Sequence, residues 1–571
     1  MNPIKIGLDA DGAPLTLDPE VRQQTHMHVI GASGTGKSKF LEWLIRQDID
    51  EGHGLCVIDW HGSLYEDVLR YCAFQDVGTY GDPRRLILLN PSQPDYVVGF
   101  NPFAAPGPDV SVQVSRRINA TIRPWGVTDT MLTPTFARVC RVLYTFMVET
   151  GETLPNAATM LHFKNRRLRD YAASIVQDSS AKSEWEEILE LKRFTDWREE
   201  VLSTKNRLIP FVTSKAVRRF MGLPAGNISL TDIMDRGDIL LVNLAGSDFL
   251  DTDAARVFAS LLLLDFFETA MRRGARASRV GAKPSPFLLY LDEFQEYMTD
   301  DIAGMLDQVR KGGLHMVLAH QHLGHFTDKE KLKKSVFTNA RIKAVFGGLD
   351  YDDASIMARE MFLHDLNQRQ IKKAYYHTIH LYREETRTVR GHSEGSGSAH
   401  SVGVGAGQAS GEMIGWFDNS DAIHEASSTI ESSMSSEANT DTSSSSETTT
   451  VLPVWVPIPQ QELTTEAEWS REEKLDKVVE ILNCQQQAHC FIKLNTQATQ
   501  PLRVPTVKDY GTTVEALVQY ENEVHKAQGA RPSADIDRAL AESTRLFLRK
   551  AGVAEEQADD PGVSDDDERW S

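Results

Sequence analysis

Glycine, lysine and hydroxyl side chains come together in Gly31-Ala32-Ser33-Gly34-Thr35-Gly36-Lys37-Ser38, which fits the spacing G-x-x-x-x-G-K-[ST]. The glycines let the backbone wrap closely enough for several N–H groups to point at one anion. A helix that opens at the end of the loop turns its positive pole to the same place. In this arrangement Lys37 reaches the β- and γ-phosphates of a nucleotide, and the Ser38 hydroxyl ligates Mg²⁺. The bland alternative is a glycine turn with no ligand, which leaves the strand before and the helix after without a purpose.

A second chemical signal is Asp292-Glu293, which follows the apolar run Phe287-Leu288-Leu289-Tyr290-Leu291. Ligands of open parallel sheets bind at the carboxyl ends of strands, where this run places both acids. Asp292 is expected to support Mg²⁺ through its water shell, as hard oxygen ligands do. Glu293 is expected to orient or deprotonate an attacking water. Asp300-Asp301 is a rival pair without a preceding apolar strand.

The elements that must position these groups are also legible. Residues 26–30 lead into the glycine loop, and Phe40, Leu41, Leu44 and Ile45 follow at helical spacing. Residues 55–58, 86–89, 239–242, 287–291 and 316–318 are continuous apolar runs, and 342–346 is apolar apart from Lys343. Such runs suggest parallel strands covered on both faces, with helical crossovers between them. From about residue 106 to 236 helical signals dominate, as in Phe136, Val139, Cys140, Leu143 and Phe146, with basic pieces such as Lys164-Asn165-Arg166-Arg167. The expected division is an α/β core in two parts, 1–105 and 237–390, with an inserted all-helical domain at 106–236. A linker at 391–450, a core-completing segment at 451–512, and C-terminal helices with an acidic tail at 513–571 follow.

Composition narrows the class. With 41% hydrophobic and 25% charged residues in 571, a wholly disordered chain is excluded. No run approaches the ~20 apolar residues of a membrane helix, and the first residues lack a signal segment. Five scattered cysteines fit a reducing, cytoplasmic setting. The net charge of −20 speaks against a nucleic-acid partner until its distribution is read. Residues 391–450 hold nine acids and neither Lys nor Arg, in a Ser/Gly/Thr-rich context that predicts disorder. Residues 551–571 hold eight acids and one Arg. Most of the net negative charge therefore sits on two appendages, away from the α/β core.

The phosphate loop, Val57-Ile58-Asp59-Trp60-His61-Gly62 and residues 289–293 together resemble the HerA–FtsK superfamily of P-loop motors, and most of all soluble ATPases related to the TraG/TraD conjugative coupling proteins of type IV secretion. Val98-Gly99-Phe100-Asn101-Pro102, residues 239–244, Lys311-Gly312-Gly313-Leu314 and Leu318-Ala319-His320-Gln321 match as well. The resemblance implies a RecA-like core that binds ATP and Mg²⁺, a homohexameric ring, and movement of a polymer, DNA above all, through its channel. It implies Gln321 as a γ-phosphate sensor and Arg310 as a finger acting on the neighbouring subunit's nucleotide. Arg310 also suits the end of a helix carrying Ile302, Met305, Leu306 and Val309, on dipole grounds alone. Arg341 and Lys311 are alternative fingers. A nuclease, relaxase or secretion channel is the kind of partner implied; a polypeptide-moving ATPase and an ATP-gated scaffold are the rival functions.

Two further clusters stay open. His315, His320, His322 and His325 have metal-like spacing but no accompanying cysteine. Asp59 and His61 either approach the nucleotide or a neighbouring subunit, or simply end a strand.

Overall fold

The computed structural model describes residues 2–79, 84–91, 95–104, 109–122, 134–224, 228–245, 251–299, 304–326, 329–392 and 447–553. Asp300, Asp301 and Ile302, most of the expected linker and most of the acidic tail lie outside these residues. The chain forms two units, one of residues 1–362 and 478–571, the other of residues 363–477.

Strands of the first unit are β1 (Ile4–Leu8), β2 (Pro14–Leu17), β3 (Met27–Ile30), β4 (Gly54–Asp59), β5 (Leu86–Leu89), β6 (Tyr96–Val97), β7 (Ile239–Asn243), β8 (Phe287–Leu291), β9 (Leu314–His320) and β10 (Ile342–Phe346). The second unit holds β11 (Ile371–His392) and β12 (Glu447–Glu468), after which β13 (His489–Leu494), β14 (Gln500–Arg503) and β15 (Arg531–Pro532) return to the first. One sheet of eleven strands has the order β2-β1-β14-β13-β10-β3-β9-β8-β4-β7-β5. From β10 to β5 all neighbours are parallel. From β13 outward the pairing is antiparallel. The architecture is thus a large, mainly parallel sheet flanked by helices. The apolar runs of β4, β7, β8, β9 and β10 are buried along their whole length, as strands covered on both faces must be.

Three features place the site. First, β9 lies between β3 and β8, so the strand after which Gln321 comes separates the phosphate loop from the acids. Second, β4 abuts β8 on its other side and brings Asp59 to the same rim. Third, the helix Lys37–Asp50 packs Phe40, Leu41, Leu44 and Ile45 into the sheet's core cluster, which fixes the loop before it. That helix is pinned at its far end by a buried network. Arg22 donates to both Asp48 oxygens at 2.6 Å and to the Tyr290 hydroxyl at 2.9 Å.

Between β6 and β7 the described residues form helices and no strand. Their core is aromatic, with Phe136, Tyr144, Phe146 and Trp185 buried. The Arg169 guanidinium lies over the Trp197 ring at 4.0 Å. The C-terminal helix Ser533–Lys550 docks on this bundle through Arg219–Asp537 and through Thr544 Oγ1 donating to Asn156 at 3.0 Å.

The second unit departs from the expected segment limits. Residues 371–390, expected in the core, and 451–468, expected to complete it, pair with each other as β11 and β12. The edges of the expected linker, 391–392 and 447–450, belong to the same ribbon, and residues 393–446 lie outside the described part. The sheet is completed instead by β13 and β14, within the expected 451–512.

Candidate nucleotide site

The phosphate loop leaves β3 and turns into the helix Lys37–Asp50 through two glycines in the left-handed region, Gly34 at φ +78° and Gly36 at φ +111°. Gly31 is required for space: a Cβ there would lie 2.4 Å from the Phe346 Cβ. Ala32, Ser33 and Thr35 fill the remaining loop positions, and the Thr35 hydroxyl donates to the Ala32 carbonyl at 2.7 Å. Lys37 is buried, and its Nζ donates to the carbonyls of Gly31 at 2.6 Å and Ala32 at 3.0 Å. Burial lowers its pKa from the ordinary lysine value, against the pull of Glu293 and Asp292. Ser38 stands half-buried in the first turn of the helix.

Asp292 and Glu293 follow β8 directly and are both buried. The Asp292 N–H donates to the Ile58 carbonyl at 3.0 Å, which extends the β8–β4 ladder by one residue. Burial pushes the Asp292 carboxyl up to about 7, reinforced by the charges of Asp59 and Glu293 and opposed by Lys37. Asp59 is also raised by burial, although it accepts the N–H groups of His61 at 2.9 Å and Tyr65 at 2.8 Å. Both readings of Asp59 therefore have a footing: it caps the strand-to-helix turn and adds charge to the acid cluster. His61 is exposed and, with Trp60, Leu244, Ala245 and Thr252, lines a cavity of about 290 Å³.

Glu293 is the most constrained residue at this rim. Its backbone lies at φ +46°, ψ +46°, a left-handed conformation that costs a non-glycine residue of order 1–3 kcal/mol. Gln321 Nε2 donates to Oε1 at 2.7 Å, and Gln295 Nε2 donates to Oε2 at 2.8 Å. Each carboxylate oxygen thus takes one amide donor, and the second lone pairs remain for a water proton. Gln295 was not singled out by sequence; its only signal is its place two residues beyond Glu293. Lys329 Nζ donates to the Gln295 carbonyl at 2.6 Å and holds the short turn Phe294–Glu296 in place.

The histidine cluster takes another form. His28 and His320 stack with ring centroids 4.9 Å apart and Nε2 atoms 2.7 Å apart. His320 Nδ1 lies 3.1 Å from the His322 carbonyl, so its N–H points there and its Nε2 accepts from His28. Burial pushes His28 down to about 3. The stacked pair supports the strand that ends just before Gln321. Among the described residues no group of three or more His, Cys, Asp and Glu is placed to hold a metal ion directly. The site does fit Mg²⁺ of the indirect kind: Asp59 and Glu293 both add negative charge at the buried Asp292 carboxyl, with Lys37 opposing it there. Ser38 would ligate the ion and Asp292 would hold its waters.

Arg310 is placed elsewhere. The expected helix is short, Leu306–Val309, and Arg310 opens the turn Arg310–Gly312 that precedes β9. Its Nη1 donates to the Gln24 carbonyl, beside Arg341, whose Nη2 reaches the same oxygen at 3.2 Å. Gln24 precedes β3 and the phosphate loop follows it, so Arg310 lies at the amino-terminal rim of the sheet. The seven residues of β9, roughly 23 Å of strand, separate it from Gln321 at the other rim. Lys37, Asp292, Glu293 and Gln321 come together within one chain; Arg310 does not join them.

Residues 4–126 match the family model described as helicase HerA, central domain. Among solved structures, the chain is similar to the bacterial conjugative coupling protein TrwBΔN70 in its unbound monoclinic form, at 12% identity over 88% of this chain and 89% of that one, with a TM-score of 0.47. It is similar to plasmid coupling protein TrwB in complex with ADP and Mg²⁺, at 16% identity over 62% and 78%, TM-score 0.42. VirB4 of Thermoanaerobacter pseudethanolicus is matched at 14% identity over 62% and 87%, TM-score 0.35. No curated protein sequence matches this chain. Among the described residues no helix is long and apolar enough to cross a membrane.

Proposed function

We propose that this protein is an ATP-driven DNA translocase that works as a cytoplasmic homohexamer, in DNA transfer, mobilisation or processing. The observation that carries the reading is the Glu293 carboxylate held by Gln321 and Gln295 across the strand from Lys37. The match to the HerA central domain supports it.

In this reading the loop residues 31–38 wrap the triphosphate with backbone N–H groups. Lys37 leaves the carbonyls of Gly31 and Ala32 and neutralises the β- and γ-phosphates. Bound Mg²⁺ would neutralise the phosphate oxygens from the side of Ser38 and Asp292. Glu293 receives a proton of the attacking water while Gln295 and Gln321 fix the carboxylate's orientation. Gln321 also registers the γ-phosphate, because it holds the acid and follows the strand next to the one that leads into the phosphate loop. Arg310 serves the site of the adjacent subunit, which requires a ring. A nuclease, relaxase or secretion channel would supply or receive the polymer.

Lys37→Ala tests the site: turnover should vanish, and wild-type turnover would refute it. In the wild type, DNA should stimulate hydrolysis at low salt and lose that effect steeply as salt rises. Stimulation by unfolded polypeptide and not by DNA would favour a protein-secretion ATPase. Turnover that Glu293→Gln leaves unchanged would favour a scaffold.

A further inference from the structure

The phosphate loop is flanked on its second side by a segment that sequence reading gave no chemical role. β13 runs antiparallel to β10, which adjoins β3, so the turn entering β13 stands at the same rim as the loop. Glu293 and Gln321 occupy the opposite flank, beyond β9 and β8. The contact between turn and loop is close. The Ala488 N–H donates to the Thr35 carbonyl at 2.9 Å, and a Cβ on Gly36 would meet the Ala488 Cα at 3.0 Å. Ala488 itself lies at φ +63°, a left-handed non-glycine backbone, and its carbonyl accepts from Val504 at 2.8 Å. Gln485 ties the turn to β10 by donating to the Val345 carbonyl at 3.1 Å. Strain of this kind persists only where the surroundings over-determine it.

An extended nucleoside triphosphate has two ends. With its γ-phosphate between Lys37 and Glu293, the nucleoside leaves the loop on the flank away from the acids, where this turn stands. Gln486 and Gln487 are exposed there and His489 is half-exposed. His489 Nδ1 lies 3.0 Å from the Gln487 carbonyl, so its N–H is directed there. In the neutral ring that leaves Nε2 as a hydrogen-bond acceptor. An acceptor suits the exocyclic amino group of adenine and repels the O6 carbonyl of guanine.

We propose that the turn 485–489 is the nucleoside wall of the site, selecting adenine over guanine through His489 Nε2 and the Gln487 amide. This rests on the ATPase reading above and adds specificity to it. Sites that read a base by hydrogen bonds reject the analogue that cannot make them.

The test uses the full chain with MgATP, MgGTP and inorganic tripolyphosphate as a competitor that has no nucleoside. In Gln487→Ala and His489→Phe, the KM for ATP should rise roughly tenfold, the scale of one lost hydrogen bond. The ATP-over-GTP preference should collapse, while kcat for ATP and inhibition by tripolyphosphate stay as in the wild type. An unchanged ATP-over-GTP ratio in both variants would overturn the proposal. So would a parallel loss of tripolyphosphate affinity, which would make the turn a mere brace for the loop. A wild type that hydrolyses neither nucleotide would remove the ATPase reading itself, and this proposal with it.

Discussion

At the scale of single residues, the site is a carboxylate whose two oxygens are each claimed by a glutamine. Hydrogen bonds to a charged group are worth about 1.5–3 kcal/mol, and in a buried site they also set orientation. Gln295→Ala should therefore lower kcat roughly 10–100-fold with little change in KM. Glu293→Gln should bind ATP and turn it over far more slowly. Single-turnover hydrolysis separates binding from chemistry, and a Gln295→Ala enzyme with wild-type kcat would deny that residue its orienting role. Much of this site was readable from sequence, because the loop spacing and the strand ending in Asp292-Glu293 are local patterns. Gln295 was not, since its part depends on a left-handed turn at Glu293 that no local pattern announces. The buried Arg22–Asp48–Tyr290 network was hidden for a similar reason: its members are brought together only by the sheet order.

At the scale of elements, apolar runs revealed the parallel strands but not the order that puts β9 between the phosphate loop and the acids. Antiparallel β13 and β14 were harder to read: they pair with each other, but their outer partners β10 and β1 lie on the far side of the second unit in the chain. The helices between β6 and β7 meet the rest of the same unit where Val110–Ile122 packs on Thr252–Val280. There Arg117 lies 3.6 Å from Asp265 and 3.4 Å from Glu268, all three buried. Burial pushes Asp265 up to about 6 from 3.8, with Arg117 pulling down and Glu268 adding to the rise. A carboxyl raised in the folded state binds its proton more tightly there than in the unfolded chain. Its favourable contribution is full at low pH and is lost as pH rises through about 6. Relative to Asp265→Asn, the wild type should lose about 3 kcal/mol of stability on going from acid to neutral pH, at 1.36 kcal/mol per unit. Denaturant titrations of both proteins across that range check this; parallel pH profiles would contradict it.

At the scale of the whole molecule, the charge of −20 describes appendages more than the α/β core. Residues 551–571 carry eight acids and would compete with DNA for basic sites. Deleting them should tighten DNA binding at low salt, by several-fold in a filter-binding or anisotropy titration, and unchanged affinity would refute that role. Arg310 sits at the rim opposite its own phosphate loop, and the proposed ring requires it to serve the neighbouring subunit's site. Mixing two inactive variants tests this most directly. Lys37→Ala spoils a subunit's own site and Arg310→Ala spoils the site it serves, so each ring alone should be inactive. In mixed rings roughly a quarter of interfaces pair an intact loop with an intact arginine, and ATP hydrolysis should reappear in proportion. Mixed rings that assemble and remain as inactive as either parent would contradict a trans-acting Arg310 and the ring mechanism built on it.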